Sequence, residues 1–166
     1  MKPMLLFVVI ALLSSFGAAQ AAPQSDTVLT ITGEGITPIG LSLADLMKLP
    51  TETVRGVDHD KQEYAFEGVD VYRILSLAGV RFADTLKGRI FTSTVLVVRA
   101  MDNYEAVFAL AELDPTDTES PVILAFRQDG KPLPAKDGIL RIISPREKRH
   151  IRWVRQVQSF EVQQVK

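Results

Sequence analysis

A run of cationic side chains surrounds the only tryptophan of the chain, near its carboxyl end. Residues 140–157, LRIISPREKRHIRWVRQV, contain one acid, Glu147, among Arg146, Lys148, Arg149, His150, Arg152 and Arg155. Arginine offers a planar fork of donors and tryptophan a flat face for stacking. Arg152 and Trp153 are therefore candidate contacts for an anion or a planar ligand.

Strand periodicity gives the alternative interpretation of the same run. In a strand covering residues 150–162, Ile151, Trp153 and Arg155 share one face, and Arg152 falls on the other. The cations would then be divided between two faces, with arginine stems lying over apolar neighbours. This pattern favours an ordinary sheet strand, with His150 on its surface without a partner. The remaining cations, Arg146, Lys148 and Arg149, are predicted to be solvated turn charges.

A second group of residues with possible chemistry is Asp58-His59-Asp60, in a polar loop between two predicted strands. Carboxylate and imidazole are both metal ligands. Three adjacent loop residues seldom converge on one ion without ligands from elsewhere, so we predict no metal site. The two histidines also have no serine or acid in a spacing that would support a hydrolytic triad.

Three further segments carry polar or aromatic groups where a small ligand could be held. Residues 102–104, Asp-Asn-Tyr, follow a strand, and they suit either an ordinary hairpin turn or a ligand-contacting rim. Arg141 lies within the apolar segment ILRII, where a cation needs a partner, so it is either a buried ion pair or a ligand contact. Tyr64 and Phe66 could line the same cavity, although alternating aromatics in a strand are usually packing.

The first residues predict export. Met1–Met4 includes one lysine, LLFVVIALL is a short apolar segment, and Ala19-Gln20-Ala21 has the small-x-small pattern of a cleavage site. We predict a cleaved signal peptide over residues 1–21, one domain over residues 22–166, a periplasmic location and no membrane insertion after cleavage. The 19 basic and 20 acidic residues nearly balance, which argues against a nucleic-acid partner.

The secondary-structure elements that must position these residues are predicted to form an α+β fold. Strands are predicted over residues 27–33, 51–57, 62–68, 89–100, 104–110, 121–134, 138–145 and 150–162. Ser42 and Asp70 are predicted helix N-caps, Gly79 the residue after the second helix, and Asp129-Gly130 a hairpin turn. The sequence therefore predicts a single compact domain of mixed β-sheet with short helices.

Five segments in order resemble a known family. They are FEGVDVYRILSLAGV (66–80), VVRAMDNYEAVFALAELDP (97–115), VILAFRQDGKPLP (122–134), GILRIISP (138–145) and RWVRQVQSFEV (152–162). Together they resemble the molybdopterin-binding domain of the sulfite-oxidase-like oxidoreductases. The resemblance implies that fold, and it gives Asp102, Tyr104, Arg141, Arg152 and Trp153 as positions that match family motifs.

The resemblance also implies where this chain departs from the enzymes. In them a cysteine thiolate ligates molybdenum, from the segment that corresponds to residues 52–66, and Gly56 or Val57 stands near that position. The chain contains no cysteine at all. We therefore expect neither molybdenum nor a covalently bound cofactor, and no catalysis of the family type.

Small exported members of this superfamily include sensor proteins that bind a pterin. By this resemblance we predict a non-catalytic periplasmic binding protein for a planar ligand, a reduced pterin, with Asp102, Asn103, Tyr104, Arg141, Arg152, Trp153 and Tyr64 as ligand-binding residues. Its partner would be the periplasmic domain of a membrane-bound protein that regulates cyclic di-GMP. The alternatives are a molybdopterin-dependent oxidoreductase, or a subunit of one, and an interaction module without a ligand.

Overall fold

Two sheets of five strands organise the chain. The computed structural model describes residues 26–34, 36–82 and 88–165, and the predicted signal peptide lies outside these residues. The first sheet has the spatial order β2 (Ile39–Ser42), β1 (Thr27–Gly33), β10 (Val157–Gln164), β5 (Thr94–Ala100) and β6 (Glu105–Ala109). Strands β1 and β10 pair in parallel and the other neighbours are antiparallel. The predicted mixed sheet is confirmed.

The second sheet is antiparallel throughout. Its order is β3 (Thr51–Val57), β4 (Glu63–Asp70), β7 (Ile123–Gln128) and β8 (Lys131–Pro132), and β9 (Arg141–Ile143) pairs with the start of β7. The short helices are α1 (Leu43–Lys48), α2 (Val71–Leu77) and α3 (Arg89–Thr92), with 3-10 turns at Leu110–Glu112, Ala135–Asp137 and His150–Arg152. None of the helices in the described ranges is long and apolar enough to cross a membrane.

The second sheet buries residues on both of its faces. Along β7, Leu124 and Phe126 join the large core, which also takes in the first sheet and α2. Ile123 and Ala125 point to the opposite face, because side chains alternate along a strand. That opposite face is covered by Trp153, and it forms a second, smaller core. The sheet thus holds Trp153 in place from beneath.

Local signals for the helix ends and one hairpin are confirmed. Ser42 forms a capping box with Asp45 at the start of α1, and Asp70 caps α2 by accepting a hydrogen bond from the Tyr72 amide at 3.0 Å. Gly79 follows α2 with a φ of +86°, in the left-handed region that favours glycine. Asp129 and Gly130 both have positive φ, as a two-residue hairpin turn requires.

The prediction of a continuous strand over residues 89–100 is wrong. Residues 89–92 form α3, and only Thr94–Ala100 is strand. The β-branched residues favour a strand, but the Thr94 hydroxyl donates a hydrogen bond to the carbonyl of Ile90 at 2.7 Å, four residues earlier. Phe91 is buried in the large core from this helical turn. Tertiary packing therefore overrides the local preference.

The prediction of a strand beginning at residue 150 is also wrong. His150–Arg152 form a 3-10 turn, and strand β10 begins only at Val157. Gln156 has a φ of +51°, and its backbone N–H donates a hydrogen bond to the backbone carbonyl of Asp137 at 2.8 Å. This conformation bends the chain before the strand. The division of the cations between two strand faces therefore does not apply to this run.

Replacing Asp70 with asparagine is expected to stabilise the protein above pH 6. Burial raises the pKa of Asp70 to about 6, so the folded state holds this proton more tightly than the unfolded chain. Stability therefore falls as the pH rises from about 4 to about 6, and the cost persists above that range. Asparagine caps a helix as well as aspartate does. We expect a gain of about 1 kcal/mol in the free energy of unfolding at pH 7.5, because nearby solvent reduces the full burial cost.

Urea denaturation at pH 4.5 and pH 7.5 checks this prediction. The gain should be present at pH 7.5 and small at pH 4.5. The matched control is Asp70→Ala, which removes the same charge but also the helix cap, at a cost of about 1 kcal/mol. An Asp70→Asn protein that loses stability at pH 7.5 would contradict the prediction.

Candidate functional site

Trp153 is held rigidly over the second sheet. Its side chain is buried, its indole N–H donates a hydrogen bond to the Ser144 carbonyl at 2.8 Å, and Phe66 meets its ring edge to face at 5.8 Å. The ring also packs against Gly56, which has no side chain to displace it. Of the two interpretations open for this tryptophan, the structure places it in the core, with only its margin reaching the surface.

Arg141 forms the buried ion pair that was one of its two predicted roles. Its side chain is fully buried, and it donates two hydrogen bonds to Asp58, at 2.8 and 2.9 Å, and one to Asp137 at 3.0 Å. Arg155 adds a second cation, with its Nε 2.8 Å from Asp137 Oδ1. The hydrogen bonds from Arg141 hold the pKa of Asp58 well below its usual range. Two arginines and two aspartates thus neutralise each other beneath Trp153.

The two histidines of the chain meet beside this ion cluster. The rings of His59 and His150 lie 4.7 Å apart between centroids at 87°, and His150 also packs on Trp153 at 4.3 Å. The prediction of His150 as a strand-surface residue without a partner is wrong, because the 3-10 turn directs its ring inward. Burial lowers the pKa of His150, and the neighbouring His59 lowers it further.

A surface groove runs past these rings in two adjoining depressions, which we call the His150 groove. The first has a volume of about 230 Å³ and is lined by His59, Asp102, Tyr104, His150, Ile151, Trp153, Val154 and Arg155. The second, of about 380 Å³, is lined by Arg55, Gly56, Val57, Glu63, Pro145, Glu147, Lys148, His150 and Trp153. They share His150 and Trp153. The second depression lies at the low end of the range of about 300–1,000 Å³ that is typical of ligand pockets, and the first is smaller.

Asp102 and Tyr104 reach the His150 groove from the turn between β5 and β6. Asp102 Oδ1 accepts the amide of Tyr104 at 3.0 Å, and the Tyr104 hydroxyl donates to the Ile151 carbonyl at 2.5 Å. Asn103 supplies the positive φ, +66°, that closes this turn. The structure therefore brings the predicted residues Asp102, Tyr104 and Trp153 to one groove, while Asn103 shapes the turn from outside its lining.

Besides Asn103, three predicted ligand residues do not line the His150 groove within the described residues. Arg141 is enclosed by its aspartates. Arg152 donates hydrogen bonds to Glu147 at 2.6 Å and Glu112 at 3.0 Å, and its guanidinium lies 4.4 Å from the Phe108 ring centre. Tyr64 donates its hydroxyl to Asp60 at 2.6 Å and packs its ring near Phe66. Of the predicted turn cations, Arg146, Lys148 and Arg149 are exposed.

Among the residues of the His150 groove that sequence reasoning did not assign to a ligand site are His59, His150 and Arg155. The signal available for the histidines was that the chain contains only two. Their meeting depends on how the loop after β3 and the 3-10 turn at His150–Arg152 fold towards each other, which no local pattern reports. Arg155 was placed on a strand face by the strand prediction that the structure overturns.

The fold and the groove together define a class: an α+β domain with a surface groove over one face of an antiparallel sheet. Residues 17–166 match the family described as the oxidoreductase molybdopterin binding domain, and the chain belongs to that family. The resemblance stated from the sequence motifs is confirmed. No curated protein matches the chain.

Solved structures support the same fold. The sulfane dehydrogenase SoxCD from Paracoccus pantotrophus matches with a TM-score of 0.63 and 18% sequence identity. The match covers 86% of this chain and 40% of that one, so the chain spans well under half the length of this relative. At this identity the likeness concerns the fold alone.

The residues present do not fit a thiolate-ligated molybdenum centre. The chain has no cysteine, and a Cβ added at Gly56 would lie 2.5 Å from Cη2 of Trp153, closer than packed atoms approach. The space into which a side chain from Gly56 would extend is thus filled by an indole that is itself anchored. Binding of a flat organic ring does not require a side chain at position 56. The His150 groove provides aromatic edges, a carboxylate and a guanidinium, which can contact such a ring.

Proposed function

We propose that the protein binds a reduced pterin in the His150 groove, without molybdenum, and that it is a binding protein rather than an enzyme. The observation that carries the proposal is the lining of one depression by aromatic rings, the Asp102 carboxylate and the Arg155 guanidinium. The missing thiolate and the anchored indole over Gly56 support the non-catalytic part.

Each lining group has a partner on a pterin ring. The amino group and ring N–H at one edge of the pterin are donors, and they suit a carboxylate such as Asp102. Within the described residues only Oδ1 of Asp102 accepts a hydrogen bond, so Oδ2 is available. The carbonyl of the ligand suits a guanidinium such as that of Arg155. The rings of Tyr104 and His150 offer apolar surface for its faces.

We further propose that the protein is exported and reports its ligand to a membrane-bound signalling protein. The amino-terminal pattern of residues 1–21 supports export. The groove is lined in part by Ile151, which is 65% exposed, and Met101, the residue before Asp102, is 69% exposed. A bound ligand would therefore alter a surface that a partner protein could contact.

Binding can be followed through Trp153, because it is the only tryptophan in the chain. Titration with 7,8-dihydropterin is expected to change its fluorescence saturably, at one ligand per chain. Asp102→Asn should weaken binding by about tenfold, because a carboxylate is a stronger acceptor than an amide and a tenfold change corresponds to about 1.4 kcal/mol.

Asp117→Asn is the matched control, since this exposed aspartate lies outside the His150 groove and its replacement should leave the affinity unchanged. Saturable binding that is equal in the wild type and Asp102→Asn would contradict the assigned acceptor. The absence of any dihydropterin binding, or stoichiometric molybdenum in protein purified from its source, would overturn the proposal itself.

A further inference from the structure

We infer that the chain binds one divalent transition-metal ion of the Zn²⁺ or Cu²⁺ class between His59 and His150, with Asp58 as a third ligand. These are the only histidines among 166 residues, and they come from separate segments of the chain. One potential ligand atom from each of the three residues lies within 4.8 Å of the other two. The inference does not depend on pterin binding.

His150 is held in place beside His59. Its ring packs on the fixed indole of Trp153, with 4.3 Å between ring centroids, and lies 4.7 Å from the His59 ring. A ring fixed by packing keeps its nitrogen atoms at set positions, which favours binding of an ion between the two imidazoles.

His59 can complete the pair with a small movement. It follows β3 in an exposed loop, and its amide donates to Asp58 Oδ1 at 2.8 Å, which fixes its backbone but leaves its side chain at the surface. Ligand atoms around a tetrahedral ion lie about 3.3 Å apart when the metal–nitrogen bonds are about 2.0 Å long. The three ligand atoms lie within 4.8 Å of one another, and rotation of the exposed His59 imidazole would bring its nitrogen closer to a shared ion.

Asp58 contributes a carboxylate whose charge is already shared. Its Oδ1 accepts hydrogen bonds from the His59 amide and from Arg141, whereas Oδ2 accepts one, from Arg141 at 2.8 Å. Arg155 lies 3.8 Å from Oδ1. Because two cations offset the carboxylate, most of the affinity must come from the imidazoles. Such a site favours zinc or copper over magnesium and calcium, which select oxygen ligands.

Calorimetric titration of the tag-free protein with Zn²⁺, in the absence of any pterin, tests the inference. We expect one ion per chain, and His59→Ala or His150→Ala should each weaken binding by about 100-fold or more, since even the outer partners of metal ligands are worth 10–100-fold. The matched control is Asp60→Asn, which removes the neighbouring carboxylate of the same loop and should change the affinity less than about twofold.

Copper provides a second readout that does not depend on affinity. The electron paramagnetic resonance spectrum of the Cu²⁺-loaded protein should show coupling to two imidazole nitrogens, reduced to one in His59→Asn. His59 is exposed, so that variant should keep the wild-type melting temperature. Absence of one-to-one binding, retention of wild-type affinity by the folded His59→Asn variant, or a spectrum without two imidazole nitrogens would overturn the inference.

Discussion

Replacing Arg141 with methionine is expected to destabilise the protein by about 3–5 kcal/mol, a large part of the roughly 5–15 kcal/mol that holds an ordinary domain folded. Arg141 is fully buried and bonded to both Asp58 and Asp137. Methionine fills a similar volume, so the cost comes from two carboxylates that lose their partner in a buried setting. Arg155 is partly exposed and retains its contact with Asp137. The largest energetic cost therefore falls on Asp58, whose buried negative charge loses its main partner.

The pH dependence of this loss identifies its cause. Hydrogen bonds from Arg141 lower the pKa of Asp58, so the wild-type ion pair contributes stability above the unfolded pKa of that carboxyl and loses it as the pH falls through the folded one. Without the guanidinium, Asp58 can be protonated at mildly acidic pH. The difference in unfolding free energy between the variant and the wild type should therefore be largest near pH 7 and narrow towards pH 4.

Urea denaturation followed by circular dichroism measures both quantities. The control is Arg55→Ala, since Arg55 pairs with Glu63 at 3.3 Å across an exposed strand pair and should cost less than about 1 kcal/mol. Arg141→Met combined with Asp58→Asn should recover part of the loss, because the unpaired charge is then removed. A loss below about 1 kcal/mol for Arg141→Met at pH 7 would contradict the assignment of the ion pair as a structural element.

The features that could be predicted from the sequence are those fixed by local chemistry. Ser42, Asp70 and Gly79 delimit helices through hydrogen bonds and backbone angles set within four residues. The mixed sheet follows from the order of the strand patterns and from the family motifs. The strand predictions failed at residues 89–92 and 150–156, where a helical turn and a bend are stabilised by contacts with distant parts of the chain.

The residues of the candidate site, like the secondary structure, could be predicted only in part. Asp102, Tyr104 and Trp153 match family motifs, and the structure brings them to one groove. The meeting of His59 with His150 could not be predicted, because it depends on the loop after β3 and on a 3-10 turn where alternation indicated a strand. Arg141 shows a further limit: its sequence setting required a partner, but the identity of that partner, Asp58, is a tertiary fact.

Replacing Trp153 with alanine is expected to cost about 3–5 kcal/mol, the range for removing a large buried aromatic side chain. The variant also leaves the Ser144 carbonyl without its indole donor. Gly56→Ala alone should cost about 1–3 kcal/mol, because its new Cβ would lie 2.5 Å from Trp153 Cη2 and the anchored ring has little room to move.

The losses in unfolding free energy caused by Gly56→Ala and Trp153→Ala should not be additive. With Trp153 removed, the Cβ of Gly56→Ala has space, so the double variant should be more stable than the sum of the single losses by about 1–2 kcal/mol. Gly130→Ala is the control: it meets no neighbour within 4 Å but has a φ of +73°, so its cost comes from the backbone alone and should add to that of Trp153→Ala. Additive losses for Gly56→Ala and Trp153→Ala would contradict direct contact between the two.

This coupling also bears on function. If Trp153 occupies the space next to Gly56, a cysteine introduced by Gly56→Cys would meet the indole before it could meet a metal, and it should destabilise the fold about as much as Gly56→Ala. A thiolate at position 56 is therefore opposed by the packing of Trp153, whereas Val57, the other position near the family cysteine, is 49% exposed. Room for a thiolate at position 56 would require reshaping the anchored Trp153 together with Gly56.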